Sequence, residues 1–295
     1  MGQHTTLGPC SRIDFMENLG YGIVLFRNSF TTNRGVTDFL LSIHDLEIQA
    51  NYDVQYDENG GVECLVNKSG HRFRQQDVAK NCIRLSNYHN YANSKPSVEF
   101  FETCDRAVYN SLLQYLEMFP MLLPCIWWKT IGHPIMYPTG SEQGLHCDND
   151  INYMPGFEPT MQLGSMHVVA AMCYLNNDFT GGEIVFPYAG ISHKPMAGDV
   201  LLFPANYVCA HLVAPIESGT RFSYLQYFGQ GSSSPDKGIA ICEDGPNIRG
   251  GQVWVRSLFS DYREHIERKY KHPEAGKMLL PLQREFHSSI RAHHE

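Results

Sequence analysis

The sequence predicts an α+β protein whose centre, at about residues 127–228, is a β structure of jelly-roll type, wrapped by helices from both ends. Three observations carry this. Short strand-like apolar runs recur at 166–175 (MHVVAAMCYL), 183–186, 199–203 and 221–228, punctuated by Gly181-Gly182, Gly198 and Gly219. Ahead of them Val98, Phe101, Val108, Tyr115 and Phe119 share a broad apolar stripe at helical spacing, and Pro120 stops that helix. Hydrophobic residues make up 43% of the chain, so a packed core is well supplied and wholesale disorder is excluded.

The elements follow in order. Residues 1–20 read as a loosely held leader. Gly22-Ile-Val-Leu-Phe26 is a short apolar run bounded by Gly20, Gly22 and Asn28, as a buried strand would be. Val36, Phe39, Leu40 and Ile43 repeat at helical spacing, and 52–74 reads as a hairpin or an irregular excursion. Segment 149–165 is rich in Met, aromatic residues, Gly and Pro, and reads as a lid or an ordinary long loop. Trp127 and Trp128, just ahead of the strands, read as core packing or as pocket lining. After Gly229 a Ser/Gly/Pro-rich loop leads to a tail with at least one helix, capped by Ser260 or Asp261, with Tyr262, Ile266 and Tyr270 inward. The expected organisation is one compact domain: an N-terminal support region at 1–126, the core at 127–228 and a C-terminal loop and helical extension at 229–295.

Composition narrows the function classes. Acidic residues number 31 and basic ones 23, and the net charge of −8 argues against a dedicated nucleic-acid binder, which needs a cationic face. The most apolar stretches, 118–128 and 200–216, fall short of the roughly 20 residues that span a bilayer. The opening residues lack the basic-then-apolar layout of a secretory signal. Nine cysteines without a CxxC pair read as reduced thiols, and the expected location is the cytoplasm.

Within the core, His146-Cys147-Asp148 stands out. On an extended strand residues i and i+2 point to one side, so an imidazole and a carboxylate can converge on one ion. His211, just past the run 199–203, supplies a second imidazole. Two imidazoles and a carboxylate form the facial set that suits non-haem Fe(II) and leaves three coordination positions open. Arg221 then opens an apolar strand in which Phe222, Tyr224, Leu225 and Phe228 promise burial. A buried guanidinium needs an anion. That anion is either one of the protein's own acids, with Asp199 the candidate, or the far end of a dicarboxylate bound at the metal.

On these residues the sequence resembles the prolyl 4-hydroxylase-like branch of the 2-oxoglutarate/Fe(II) dioxygenases. The HxD of that family is matched by His146 and Asp148, its distal histidine by His211 and its basic residue by Arg221. Its Tyr-x-x-Gly turn is matched by Tyr137-Pro-Thr-Gly140, and its aromatic-Leu-Asn strand by Tyr174-Leu175-Asn176. Gly181-Gly182-Glu-Ile-Val-Phe186-Pro187 and Pro195-Met-Ala-Gly198-Asp199-Val-Leu-Leu-Phe203 complete the pattern. Gly22-Ile-Val-Leu-Phe26 also resembles the strand that opens such domains.

The resemblance implies a double-stranded β-helix that binds Fe(II) through His146, Asp148 and His211, with 2-oxoglutarate as co-substrate, O2 as oxidant and ascorbate as a possible stimulant. Arg221 would grip the C5 carboxylate of the co-substrate, helped by a hydroxyl from Tyr174 or Tyr137 and by Ser223. The implied reaction is decarboxylation of 2-oxoglutarate to succinate and CO2, coupled to hydroxylation of an unactivated C–H bond. Desaturation, ring closure or epimerisation are the other outcomes. The carboxylate at Asp148 argues against halogenation, which uses a small residue there. Nucleic-acid demethylating relatives carry a second Arg where this chain has Tyr227. A zinc hydrolase would leave Arg221 and the Gly-Gly-x-x-x-Phe-Pro run unexplained, and a non-catalytic jelly-roll module would be expected to have lost a ligand. His133, His167 and His193 match no motif position and read as structural or surface residues. The helical additions at both ends favour a small amino-acid-like or natural-product substrate, with a peptidyl-prolyl target as the alternative. Neither a membrane nor a nucleic-acid partner is expected.

Overall fold

A computed structural model of the chain describes residues 15–32, 35–42, 52–59, 62–67, 72–73, 83–84, 95–122, 125–126, 128–130, 132–150, 163–230 and 252–254. The chain opens with an antiparallel pair, β1 (Phe15–Gly20) and β2 (Ile23–Arg27), followed by a helix α1 at 35–42. Thus 15–20, expected to be part of a loose leader, is a strand, because its backbone has β2 to pair with. Strands β3 (Tyr52–Tyr56), β4 (Val62–Asn67) and β5 (Arg72–Phe73) make a small antiparallel sheet, so the expected hairpin gains a third strand. After β6 (Ile83–Arg84) comes the 24-residue helix α2 (Lys95–Met118), and a 3-10 turn at Pro120–Leu122 closes it where proline was expected to.

The core begins after β7 (Trp128–Thr130), with β8 (His133–Pro138), β9 (Gln143–His146) and β10 (His167–Tyr174). It continues through β11 (Thr180–Gly181), β12 (Ile184–Phe186), β13 (Ile191–His193) and β14 (Val200–Pro204). Strands β15 (His211–Val213), β16 (Ile216–Ser218) and β17 (Thr220–Gly229) finish it, and β18 (Gln252–Trp254) pairs with β7. Two sheets result. In one, β8, β17, β10 and β14 lie side by side and β2 and β1 extend the edge; in the other the order is β9, β15, β12, β13. β11 and β16 form a separate antiparallel pair, and the chain crosses repeatedly between the two sheets (β8 to β9 to β10, and β14 to β15), as in the jelly roll expected.

The central strands of the larger sheet, β2, β14, β10 and β17, are buried on both faces. Val169, Ala171 and Cys173 of β10 face α2, together with Val200, Leu202, Phe222 and Tyr224 and, from the helix, Phe101, Val108 and Tyr115. The alternate residues Ala170, Met172, Tyr174, Leu201, Phe203, Leu225 and Tyr227 face the smaller sheet, where they meet Ile184, Phe186 and Val213. Double-sided burial is why these strands read as unbroken apolar runs rather than as alternating ones. The predicted C-terminal helix lies outside the described residues, as do Trp127, most of 149–165 and the loop after Gly229 apart from Gln230.

Candidate metal centre

The register of β9 and β15 sets the two histidines opposite each other: His146 pairs with His211, and their ring centroids lie 4.4 Å apart. Asp148 is not on a strand. β9 ends at His146, and a turn in which the Asp150 amide donates to the Cys147 carbonyl brings the carboxylate back over the strand end. The turn is fixed by the Asn149 amide donating to the Ala205 carbonyl. His146 Nε2 lies 3.8 Å from Asp148 Oδ1 and His211 Nε2 lies 3.9 Å from Asp148 Oδ2. One ligand atom from each of the three residues falls within 4.8 Å of the others.

Local hydrogen bonds prepare these groups to accept a cation. His146 Nδ1 is 2.8 Å from the Gly144 carbonyl and His211 Nδ1 is 3.1 Å from the Cys209 carbonyl. A carbonyl oxygen can only accept, so each Nδ1 carries the proton and each Nε2 keeps its lone pair towards Asp148. Burial pushes the His211 pKa down, partly offset by the charge of Asp148, and favours the neutral imidazole that a metal requires. Asp148 Oδ2 is buried and has no hydrogen-bond partner. An unpartnered buried carboxylate oxygen beside two imidazole lone pairs fits a divalent cation, and this nitrogen–oxygen donor set suits Fe(II). One hydrogen bond competes: the Gln143 amide donates to His146 Nε2 at 3.0 Å while Gln143 Oε1 accepts from the Tyr137 hydroxyl at 2.7 Å. That contact would have to open for a cation to take the Nε2 lone pair.

Arg221 lies on β17 and is fully buried. Asn176 accepts from the Phe222 amide at 2.7 Å and donates to the Thr220 carbonyl at 2.7 Å, which pins the strand on both sides of the arginine. The guanidinium donates to the Gly182 carbonyl at 2.9 Å and to Ser223 Oγ at 3.3 Å, and it touches Met172 Sδ. Its central carbon lies 5.0 Å from the Tyr137 ring and 5.3 Å from the Tyr174 ring. No carboxylate of the described residues pairs with it. Asp199, weighed as its partner, bonds to Arg27 at 3.0 Å instead, since it sits at the far edge where β14 meets β2. Gly181 and Gly182, at φ +70° and +68°, adopt the left-handed conformation that turns the Gly182 carbonyl onto the guanidinium.

Of the expected co-substrate hydroxyls, that of Tyr174 is buried and without a partner, whereas that of Tyr137 is taken by Gln143. Burial raises the Tyr174 pKa, which keeps it a hydroxyl donor. Two histidines read as structural or surface residues belong to the surroundings of the site. His193 is buried with its ring centroid 6.0 Å from that of Tyr174, and His167 Nδ1 donates to the Asp148 carbonyl at 2.9 Å. Sequence reasoning missed Gln143, Met172 and Tyr227, whose hydroxyl donates to Asp148 Oδ1 at 3.0 Å. For Tyr227 the available signal was its parity with Arg221 on one strand.

The profile of the 2OG-Fe(II) oxygenase superfamily matches residues 132–229. A PKHD-type hydroxylase from Saccharophagus degradans is 27% identical over 159 residues, which are 52% of this chain and 63% of that protein. The chain therefore spans somewhat under two thirds of that relative's length. A Trichoplax adhaerens prolyl hydroxylase, solved with a hypoxia inducible factor oxygen degradation domain peptide fragment, superposes with a TM-score of 0.44 and 15% identity, over 71% of this chain and 84% of that one. A Pseudomonas putida prolyl-4-hydroxylase superposes with a TM-score of 0.39 and 15% identity, over 72% of this chain and 94% of that one. The profile match starts ahead of the first jelly-roll strand and ends with the last, so over residues 132–229 the chain is similar to the 2OG-Fe(II) oxygenase superfamily.

Proposed function

We propose that the protein is an Fe(II)- and 2-oxoglutarate-dependent dioxygenase that hydroxylates an unactivated C–H bond. The observation that carries this is the pairing of a two-His, one-Asp cluster with a buried guanidinium that has no carboxylate partner among the described residues. In this reading His146, Asp148 and His211 hold the metal. Arg221 receives the distal carboxylate of 2-oxoglutarate, the Tyr174 hydroxyl donates to that carboxylate, and Ser223 and Tyr137 hold the guanidinium in place. Bound there, Fe(II) supplies the redox chemistry by which R–H, 2-oxoglutarate and O2 become R–OH, succinate and CO2. The chain contributes neutral imidazoles, a fixed carboxylate, charge matching at Arg221 and a dry wall formed by Phe186, Phe203 and Met172.

For the substrate we propose a small amino-acid-like or natural-product molecule; the support is from the sequence, in the helical segments added at both ends of the core. The same reading takes 1–126 and 229–295 as support for a single catalytic domain and places the protein in the cytoplasm. Among the described residues no helix is long and apolar enough to cross a membrane. The test is anaerobic addition of Fe(II) and 2-oxoglutarate, followed by a succinate-release screen over amino acids, metabolites and prolyl peptides. A weak visible charge-transfer absorption that is lost in His211→Ala is expected. No absorption in the wild-type protein refutes the metal assignment, and turnover confined to prolyl peptides replaces the substrate class.

A further inference from the structure

Asp148 is held at more points than a ligand on a free turn needs. Its Oδ1 accepts from the Tyr227 hydroxyl at 3.0 Å, whereas its buried Oδ2 has no partner and faces His211 at 3.9 Å. The Tyr227 ring is stacked on His167, with centroids 4.0 Å apart and planes 12° from parallel. His167 in turn donates from Nδ1 to the backbone carbonyl of Asp148 at 2.9 Å. One aromatic pair therefore grips both the side chain and the main chain of the same residue.

The strands explain the convergence. Side chains of like parity on a strand share a face, so Arg221, Ser223, Leu225 and Tyr227 of β17 all point between the two sheets. His167 starts the neighbouring β10, whose Ala170 pairs with Tyr227. One strand thus delivers the guanidinium to one end of the site and a hydroxyl to the other.

We infer that Tyr227, braced by His167, is a positioning residue that presents Asp148 to the metal through Oδ2 alone. This rests on the metal-centre reading above. Both carboxylate oxygens lie within 4 Å of an imidazole nitrogen, so the carboxylate on its own could bind through either or both. The O–H donor draws charge from Oδ1 and leaves Oδ2 as the oxygen without a partner. The cation completes Oδ2 at no cost in existing hydrogen bonds, while a second bond through Oδ1 competes with Tyr227. One-oxygen ligation keeps three metal positions free, the number that a chelating keto acid and O2 together need.

The test uses Co(II) and Mn(II), which report on ligation without turnover. Tyr227→Phe keeps the ring and its stack but removes the donor. It is expected to weaken Mn(II) binding in titration calorimetry by about 10–100-fold, the usual consequence of losing a partner that orients a metal ligand. The visible spectrum of the Co(II)-loaded protein should also change, as coordination through Oδ1 raises the ligand number. His167→Phe, which retains stacking but loses the Nδ1 donor, should change both readouts in the same direction, and it serves if the first variant does not fold. Wild-type affinity and an unchanged Co(II) spectrum in Tyr227→Phe, alongside loss of binding in His211→Ala, overturn the role of Tyr227 and leave the metal centre standing. Wild-type protein that binds neither ion removes both.

Discussion

Replacing Arg221 by methionine separates two origins for a buried guanidinium. If it were half of an internal ion pair, its removal would strand a carboxylate and cost about 3–5 kcal/mol. The described residues offer no such carboxylate; its contacts are the Gly182 carbonyl, Ser223 Oγ, Met172 Sδ and two aromatic rings. Losing the donor to Gly182 costs roughly 1–3 kcal/mol, and relief of the buried charge opposes that cost, so the ligand-free variant should lie within about 2 kcal/mol of wild type. Ligand binding should differ far more. Wild-type protein with Mn(II) and 2-oxoglutarate at 100 times its Kd gains about 2.7 kcal/mol. Truncating one partner of a buried, hydrogen-bonded charge pair costs 2–5 kcal/mol or more, so about a hundredfold loss of affinity is a low figure. It leaves the variant only about 0.4 kcal/mol of stabilisation at the same concentration. Urea unfolding of both proteins with Mn(II), with and without 2-oxoglutarate, measures all four values. A ligand-free variant weakened by 3 kcal/mol or more would reveal a hidden acidic partner. A variant still stabilised like wild type would place the carboxylate clamp elsewhere.

Further outcomes follow from neighbouring groups. His193 has its pKa pushed from 6.5 down to about 4, by burial first and then by Arg27, with Glu17 opposing and Arg221 adding a smaller push. Its unfolded form takes up a proton near 6.5 and its folded form only near 4, so the associated stability is complete above 6.5 and is lost as pH falls towards 4. The span of 2.5 units corresponds to about 3 kcal/mol, and His193→Gln should flatten the acid limb of a stability–pH curve; an unchanged limb would refute the burial argument. Gly182→Ala would put a Cβ 2.4 Å from Ile216 Cδ1 at a φ of +68°, and should lower stability by about 1–3 kcal/mol in urea unfolding and loosen 2-oxoglutarate binding through the displaced carbonyl. Gln143→Ala removes the amide that competes for His146 Nε2, so Mn(II) affinity should hold or rise by up to about tenfold, the equivalent of one neutral hydrogen bond. A tenfold fall in calorimetry would show that Gln143 supports the ligand instead.

The strands that read clearly from the sequence are those buried on both faces. β10, β14 and β17 appear within one or two residues of the expected runs because runs so short and so continuously apolar are the mark of strands covered on both faces. β9 is half exposed and carries Gln, Gly, Leu and His, so nothing in its composition signals a strand; it exists because β15 offers a partner. The three candidate ligands and Arg221 were legible because their residue types are costly to bury without a reason. Gln143, His167 and Tyr227 were not, since a tyrosine in an apolar run looks like core until cross-strand register shows what its hydroxyl meets. Asp148 was expected on a strand and lies in a turn, where it reaches back over His146.

The underside of β17 has a consequence of its own. Asp105 of α2 accepts from Tyr224 and Gln226, the residues of opposite parity to Arg221 and Tyr227, and it also pairs with Lys129 of β7. Burial and the nearby Asp105 raise the Tyr224 pKa, so the phenol remains a donor. Sliding the strand by a single residue would turn the guanidinium row towards the helix and take the Tyr224 hydroxyl and the Gln226 amide away from this carboxylate. The helix thus acts as a key cut for one setting of the strand, and misaligned pairings of the sheet are penalised from the side remote from the chemistry.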